Sequence, residues 1–385
     1  MKLLIIVGKV WPQPGNNTNL MMKLLPYLEE SAEIRILSAD CPEGQQEQLV
    51  LQDGHTVTFA KAEDCNAAQR IAYKLYSNLV DQQGLSDAFT SMILRAAAMR
   101  MLRDYPFDAV LVSVEPYSAA CVIPLLNRRT KKAVYFMDPT IYQSKKLKFR
   151  RKMLPRILAS SDLVLTTPFI QAAMREAEPQ AAGDQIVQVG FPMICRNMPT
   201  GTAAPQGKIR LLYCGWLYSD IRSPQYFLDV VSHLDERFEV TFMGRECELL
   251  QERFPVETKA KLITLPNQPY DVALQAMADA DVLINIGNSV PVHMPSKTLE
   301  YINTGKPMVN FYKFADCPTL YYTKRYPLAL NLFEEEKDTD AAAARFVRFC
   351  EETIGKTVDH DWIEAEFADC TPRYIAQKIL DSLEN

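Results

Sequence analysis

Residues Ala278 to Tyr312 read ADADVLINIGNSVPVHMPSKTLEYINTGKPMVNFY. Val282 to Ile286 has strand composition and runs into a polar loop. A helix then begins near Pro295 or Ser296, because proline suits a first helical turn, and Gly305 followed by Pro307 stops it. Free N–H groups at a helix start favour anions, and Lys297 adds a full charge there. The pattern is one in which a diphosphate is held. Glu300 lies one turn further on, where a carboxylate can accept hydrogen bonds from two vicinal hydroxyls such as a ribose offers. The plain alternative is an αβ unit in which Glu300 is a solvated helix residue.

The same alternation extends outward in both directions. KLLIIVG, EIRIL, FDAVLVSV, KKAVYFM, SDLVLTT and QIVQVG precede residue 191, and IRLLYCG, FEVTFMG, AKLITL, DVLINIG and KPMVNFY follow residue 207. Near-continuous apolar runs separated by helical patterns mean parallel strands covered on both faces. The stretch from Phe191 to Gly207, rich in Pro, Gly, Thr and Ala, separates two such series, so two α/β domains are expected. The boundaries expected are 1–195 and 196–370, with a terminal amphipathic helix over 371–385. Thr371 is its expected N-cap and Pro372 lies in its first turn. In open parallel sheets ligands sit beyond the carboxyl ends of the strands. That rule directs attention to Gly15 to Asn17, Glu115, Asp138, Gly215 to Arg222, Gly244 and Asn285 to Lys297.

Composition narrows the class. A chain of 385 residues with 48% apolar and 23% charged residues buries two cores unaided. Its nine cysteines are scattered singly and its four histidines, His55, His233, His293 and His360, match no metal spacing. A reducing compartment is expected, with no disulfide frame, no zinc and no required metal. No apolar run approaches the length of a signal core or a membrane span, so a cytoplasmic protein is expected. No Walker loop, G-x-S-x-G, H-E-x-x-H or G-x-G-x-x-G occurs, which removes P-loop kinases, elbow-type serine hydrolases and zincins. Net charge is −5, yet Arg128 to Arg156 holds eleven Lys/Arg and one acid, leaving −15 on the rest. Such a chain is no general nucleic-acid binder but can touch an anionic surface locally. The run QSKKLKFRRKMLPRIL contains Lys145, Lys146, Lys148, Arg150, Arg151 and Lys152. It reads either as a cationic helix on anionic lipid or as an ordinary solvated helix face.

A second informative stretch is LLYCGWLYSDIRSPQYFLDVV, Leu211 to Val231. A strand ends at Gly215, which permits close backbone approach to phosphate. A loop carries Arg222, whose planar fork of donors matches phosphate oxygens, and Pro224 starts a helix. Glu115 and Asp138 follow strands, where they either orient and deprotonate a hydroxyl or cap a helix.

PSKTLEYINTGKP resembles the donor-site helix of the glycosyltransferase group 1 family, retaining enzymes of the GT-B architecture. Glu300 falls on the second Glu of that family's Glu-seven-residues-Glu motif. The first Glu falls at Val292 and is absent, as in a P-S-K subset of the family. The family's two phosphate cations correspond to Trp216, a departure, and to Arg222. LPNQPYDVALQAMADADVLI, Leu265 to Ile284, resembles the stretch near the nucleotide base and makes Pro266 and Tyr270 contacts for it, or else core. VWPQPGNNTNLMMKLLPYL resembles the first glycine loop, with Gly15-Asn16 for the usual glycine pair. Met137-Asp138 stands where many members have His-Asp.

The resemblance implies two Rossmann-like doubly wound domains facing across a cleft. The nucleotide-diphosphate sugar would sit in the second and a glycan or lipid-linked acceptor in the first, with the terminal helix returning to the first. It implies transfer with retention, with no metal and no cofactor. Gly15, Gly215, Arg222, Tyr270, Pro295, Ser296, Lys297 and Glu300 would bind the nucleotide, and His293 would touch the sugar. Arg222, Lys297, Glu115 and Asp138 would serve catalysis. Two rivals share the architecture: a sugar-nucleotide epimerase and a non-catalytic binding relative, the latter favoured by Val292, Trp216 and Met137.

Overall fold

The computed structural model describes residues 1–10, 15–39, 48–51, 53–69, 71, 83–127, 129–139, 148–180, 183–202, 207–217 and 221–384. Lys145 and Lys146 lie outside them. The chain forms two compact units, Met1–Pro192 with Asp369–Asn385, and Met193–Ala368.

The first unit is built on β1 (Lys2–Val7), β2 (Glu33–Ser38), β3 (Gln48–Val50), β4 (Thr56–Phe59), β5 (Ala109–Val114), β6 (Lys131–Phe136), β7 (Leu163–Thr166) and β8 (Ile186–Gln188). Their order is β3-β4-β2-β1-β5-β6-β7-β8, all parallel except the β3–β4 pair. All six residues of β5 are buried, because helices cover both faces of the sheet. The 13-residue helix Pro372–Glu384 belongs to this unit. Thr371 Oγ1 accepts from the Tyr374 N–H at 3.3 Å, and Ile375 and Ile379 are wholly buried. The helix packs on the short helix Leu25–Leu28 and on β6 and β7. Gly190 admits it: a Cβ there would lie 2.1 Å from Cys370 Sγ.

The second unit holds β9 (Ile209–Cys214), β10 (Phe238–Met243), β11 (Lys261–Leu265), β12 (Val282–Ile286), β13 (Met308–Tyr312) and β14 (Ala329–Phe333). The order β11-β10-β9-β12-β13-β14 is the Rossmann order, entirely parallel. Phe227, Phe238, Phe242, Phe311 and Phe346 fill the core on one side. Both sheets are doubly wound, as the alternation implies. Three strands were not foreseen. β3 and β4 have only three and four residues, and β14 is an edge strand mostly half-buried, so none shows a long apolar run.

Each sheet has a switch point where the winding reverses, between β1 and β5 and between β9 and β12. Pairing across the second is brief: only Val282↔Leu211 and Leu283↔Leu212 are in register, against six pairs between β9 and β10. The carboxyl ends of β9 and β12 therefore splay, and the space between them opens a crevice.

Candidate nucleotide site

The residues of the second unit converge on that crevice. The unpaired end of β9 is finished by a side chain: the Tyr301 hydroxyl accepts from the Cys214 N–H at 2.8 Å and donates to the Cys214 carbonyl at 3.1 Å. Tyr301 lies on the helix Lys297–Asn303, which starts at Lys297 with Ser296 as N-cap, one or two residues later than expected. Pro295 is buried just before it. Lys297 forms an ion pair with Glu300 Oε2 across one turn. Burial opposes the Lys297 ammonium, but the charge of Glu300 outweighs it, with Cys214 and Tyr213 adding to the effect, and its pKa is raised. Glu300 is only 4% exposed, and its Oε1 is buried with no hydrogen-bond donor in range among the described residues. An unsatisfied buried carboxylate oxygen costs on the order of 1–3 kcal/mol or more, so native proteins rarely leave one without a purpose. Tyr270 stands beside the pair, 41% exposed, with Lys297 Nζ 6.0 Å from its ring centre. Burial first, and then the Glu300 charge, push its phenol well above the ordinary value.

Arg222 completes the cationic side. It is buried, its Nε donates to Asn288 Oδ1 at 2.8 Å, and its Nη1 donates to the Trp216 carbonyl at 3.3 Å. Asn288 also donates to the His293 carbonyl at 2.9 Å, so one amide ties the guanidinium to the loop that follows β12. Burial pushes the nearby Tyr213 phenol up to about 12 against the opposing pull of Arg222. Gly215 is hemmed in: a Cβ on Gly244, whose φ is +141°, would come within 2.1 Å of the Gly215 carbonyl oxygen. The two strand ends therefore approach each other as only glycine allows.

Several members of the site were not singled out from sequence. Arg245 follows Gly244 and lies 3.9 Å over the Trp216 ring, while Trp216 Nε1 donates to Glu246 Oε1 at 3.2 Å. Gly244 at a strand end was the available signal. Asn288 fell only within the flagged stretch Asn285 to Lys297, and Thr298 and Tyr301 carried no signal, since they act through partners distant in sequence.

In the first unit, Gly8 at the end of β1 packs against Glu115, where a Cβ would lie 2.7 Å from the carbonyl oxygen. Glu115 has φ +136°, costly for a non-glycine residue, at the end of β5. Asp138 follows β6, and its Oδ2 accepts from Asn17 Nδ2 at 2.9 Å, which also donates to the Val114 carbonyl at 3.0 Å. Asn17 thus spans the ends of β5 and β6, one helical residue after Asn16, while Gly15 is the N-cap of that helix. Met137 is a buried core side chain. The basic helix spans Lys148–Ser160. Met153, Leu154, Ile157 and Leu158 are buried in the core and Phe149 packs against it, so its apolar face is already used. Arg151 and Lys152 are exposed, and Arg150 lies 5.1 Å over the Tyr117 ring. No described helix is long and apolar enough to cross a membrane.

No family model matches the chain, and no curated protein matches it by sequence. Solved structures do match over its whole length. The lipopolysaccharide outer core galactosyltransferase WaaB has a TM-score of 0.65 at 12% identity, covering 100% of this chain and 99% of that one. Sucrose-phosphate synthase from Thermosynechococcus elongatus also has a TM-score of 0.65, at 11% identity, with 99% and 98% covered. HepE from Anabaena, in complex with UDP, has a TM-score of 0.60 at 13% identity, with 100% of both chains covered. At such identities the likeness is one of fold. That fold is GT-B, the two-Rossmann-domain architecture of glycosyltransferases.

Proposed function

We propose that the chain is a glycosyltransferase that moves a hexosyl or related sugar from a nucleotide-diphosphate donor to a glycan or lipid-linked acceptor, with retention of configuration. The observation that carries this reading is Glu300 Oε1, a buried carboxylate oxygen without a donor among the described residues, beside Lys297 at the Rossmann switch point. A ribose supplies the missing donors, and Lys297 and Arg222 take the diphosphate, with Gly215, Pro295 and Ser296 bordering it. Structures of the same fold support it, since HepE is recorded with UDP-glucose and the rhamnosyltransferase SpnG with thymidine diphosphate.

In this reading the bond between the anomeric carbon and the diphosphate oxygen breaks as Lys297 and Arg222 take up the developing charge. Two fixed cations make a metal unnecessary. The acceptor oxygen attacks on the face that the diphosphate leaves, and its proton departs with help from Asp138 or Glu115. Tyr270 borders the base, His293 the sugar, and Gly15 the nucleotide from the first unit. Lys148, Arg150, Arg151 and Lys152 hold the protein electrostatically to the inner face of a membrane bearing the acceptor, at up to about 1 kcal/mol per charge.

The test is calorimetric titration of UDP, GDP and ADP into wild type and Glu300→Ala. One nucleotide binding at micromolar strength, with the loss of that binding in the variant, is expected. Wild type binding none of the three overturns the reading.

A further inference from the structure

The helix Lys297–Asn303 has few local means of holding its pose beyond the Lys297–Glu300 pair. Seven residues make a marginal helix. Its N-cap, Ser296, makes no side-chain cap hydrogen bond. Its buried residues are instead pinned at three places, the last of them Asn303, which accepts from the Cys195 N–H at 2.8 Å and donates to the Cys195 carbonyl at 2.9 Å. Tyr301 grips Cys214 at the end of β9, as described above. Thr298, wholly buried between Lys297 and Glu300, donates from Oγ1 to Asn285 Oδ1 on β12 at 3.2 Å.

The pin at Thr298 is the head of a longer chain. Asn285 Nδ2 donates to Asn310 Oδ1 at 2.7 Å, and Asn310 Nδ2 donates to Asn331 Oδ1 at 2.8 Å. These three asparagines are in register across β12, β13 and β14. Thr323 closes the far end by donating to Asn331 Oδ1 at 2.7 Å. Asn285 is 2% exposed and Asn310 not at all. Apolar residues of the same volume fill such a space at no loss of stability in many proteins, whereas a hydrogen-bonded chain in a dry core is demanding. What apolar packing lacks is direction. Alternating donors and acceptors accept one rotational setting of the helix, and that setting aims Lys297 and Glu300.

We infer that the chain Thr298–Asn285–Asn310–Asn331 is a positioning network that sets the helix start for binding a nucleoside diphosphate. The inference rests on the reading of Lys297 and Glu300 given above. Its members touch no ligand and act through the pose of the first turn.

The experiment compares Thr298→Val, which keeps the shape and loses the hydroxyl, with Thr298→Ser, which keeps the hydroxyl. Asn310→Leu tests the remote end, and the Thr298 pair decides should that variant not fold. Three quantities are read: affinity for whichever of UDP, GDP and ADP binds wild type, Tm, and amide hydrogen exchange over 297–303 in the ligand-free protein. For Thr298→Val the expected result is roughly tenfold weaker binding. Its Tm should stay within about 2 °C of wild type or rise. Exchange should be faster in that helix alone, and Thr298→Ser should match wild type. Unchanged affinity and exchange in Thr298→Val overturns the inference. So does an equal loss in Thr298→Ser, which assigns the effect to packing rather than to the hydroxyl. Wild type binding no nucleotide removes the functional reading while the exchange comparison still decides the pinning.

Discussion

The two switch points carry opposite chemistry. At the ends of β9 and β12 stand cations, Lys297 and Arg222 among them, with the carboxylate of Glu300 buried beside Lys297. At the ends of β1, β5 and β6 stand two carboxylates, Glu115 and Asp138, with Asn17 bonded to the second. Like topology thus produces unlike crevices. In the proposed reading the second takes an anion and the first a neutral ligand rich in hydroxyls. What differs is not the sheet but the few residues placed just beyond it, which is why one fold accommodates many substrates.

The comparison is broken most directly at the cations. Lys297→Met should abolish nucleoside diphosphate binding within calorimetric range and lower stability by about 3 kcal/mol, since Glu300 then keeps a buried charge without its partner. Urea unfolding and titration together measure this, and unchanged affinity means the crevice does not hold an anion. Arg222→Lys should weaken binding by roughly tenfold, because an ammonium cannot hold Asn288 and a phosphate with one planar fork. Nucleoside affinity should be unaffected in that variant.

The first unit sharpens the contrast from the other side. Asn17→Ala removes the hydrogen bond that orients Asp138 Oδ2, so the transfer rate should fall by roughly tenfold at saturating donor while donor affinity holds. A change in donor affinity instead would mean that the two crevices do not divide the work by charge. The smallest effect concerns stability alone. His55 Nε2 lies 2.6 Å from Glu29 Oε1 and its Nδ1 lies 2.9 Å from Asp53 Oδ1. Burial opposes the charged ring, but Asp53 and Glu29 outweigh it and raise its pKa. A raised folded pKa stabilises fully below the unfolded value near 6.5 and ceases to do so as pH rises through the folded value. His55→Gln should therefore lower Tm at pH 5.5 and leave it unchanged at pH 9, with an effect of about 1 kcal/mol or less. An equal loss at both pH values would contradict the ion-pair account.

Legibility from sequence followed distance along the chain. The strand β12, the loop after it and the helix with Lys297 and Glu300 are one contiguous stretch, so periodicity and the Gly305–Pro307 stop revealed them together. The doubly wound sheets were legible for the same reason, since buried parallel strands leave unbroken apolar runs such as those of β1 and β5. Short or half-exposed strands such as β3 and β14 leave no such trace, although the edge strands β8 and β11 were read from their apolar runs. The asparagine chain was invisible because Asn285, Asn310 and Asn331 become neighbours only through parallel register. The stacking of Arg245 on Trp216 likewise depends on how β9 and β10 end side by side. The apolar side of the basic helix also read ambiguously, and only packing shows Leu154 and Ile157 committed to the core.

The terminal helix Pro372–Glu384 has one more implication. Because it completes the first unit, the polypeptide leaves that unit once, near Pro192, and re-enters it once, near Asp369. The second unit is therefore an insertion inside the other rather than a successor to it. Grafting a new specificity onto this scaffold means exchanging 193–368 as a cassette with two seams. A simple cut-and-join chimera at the first seam alone would strip Ile375, Ile379 and Leu383 from the unit they cover.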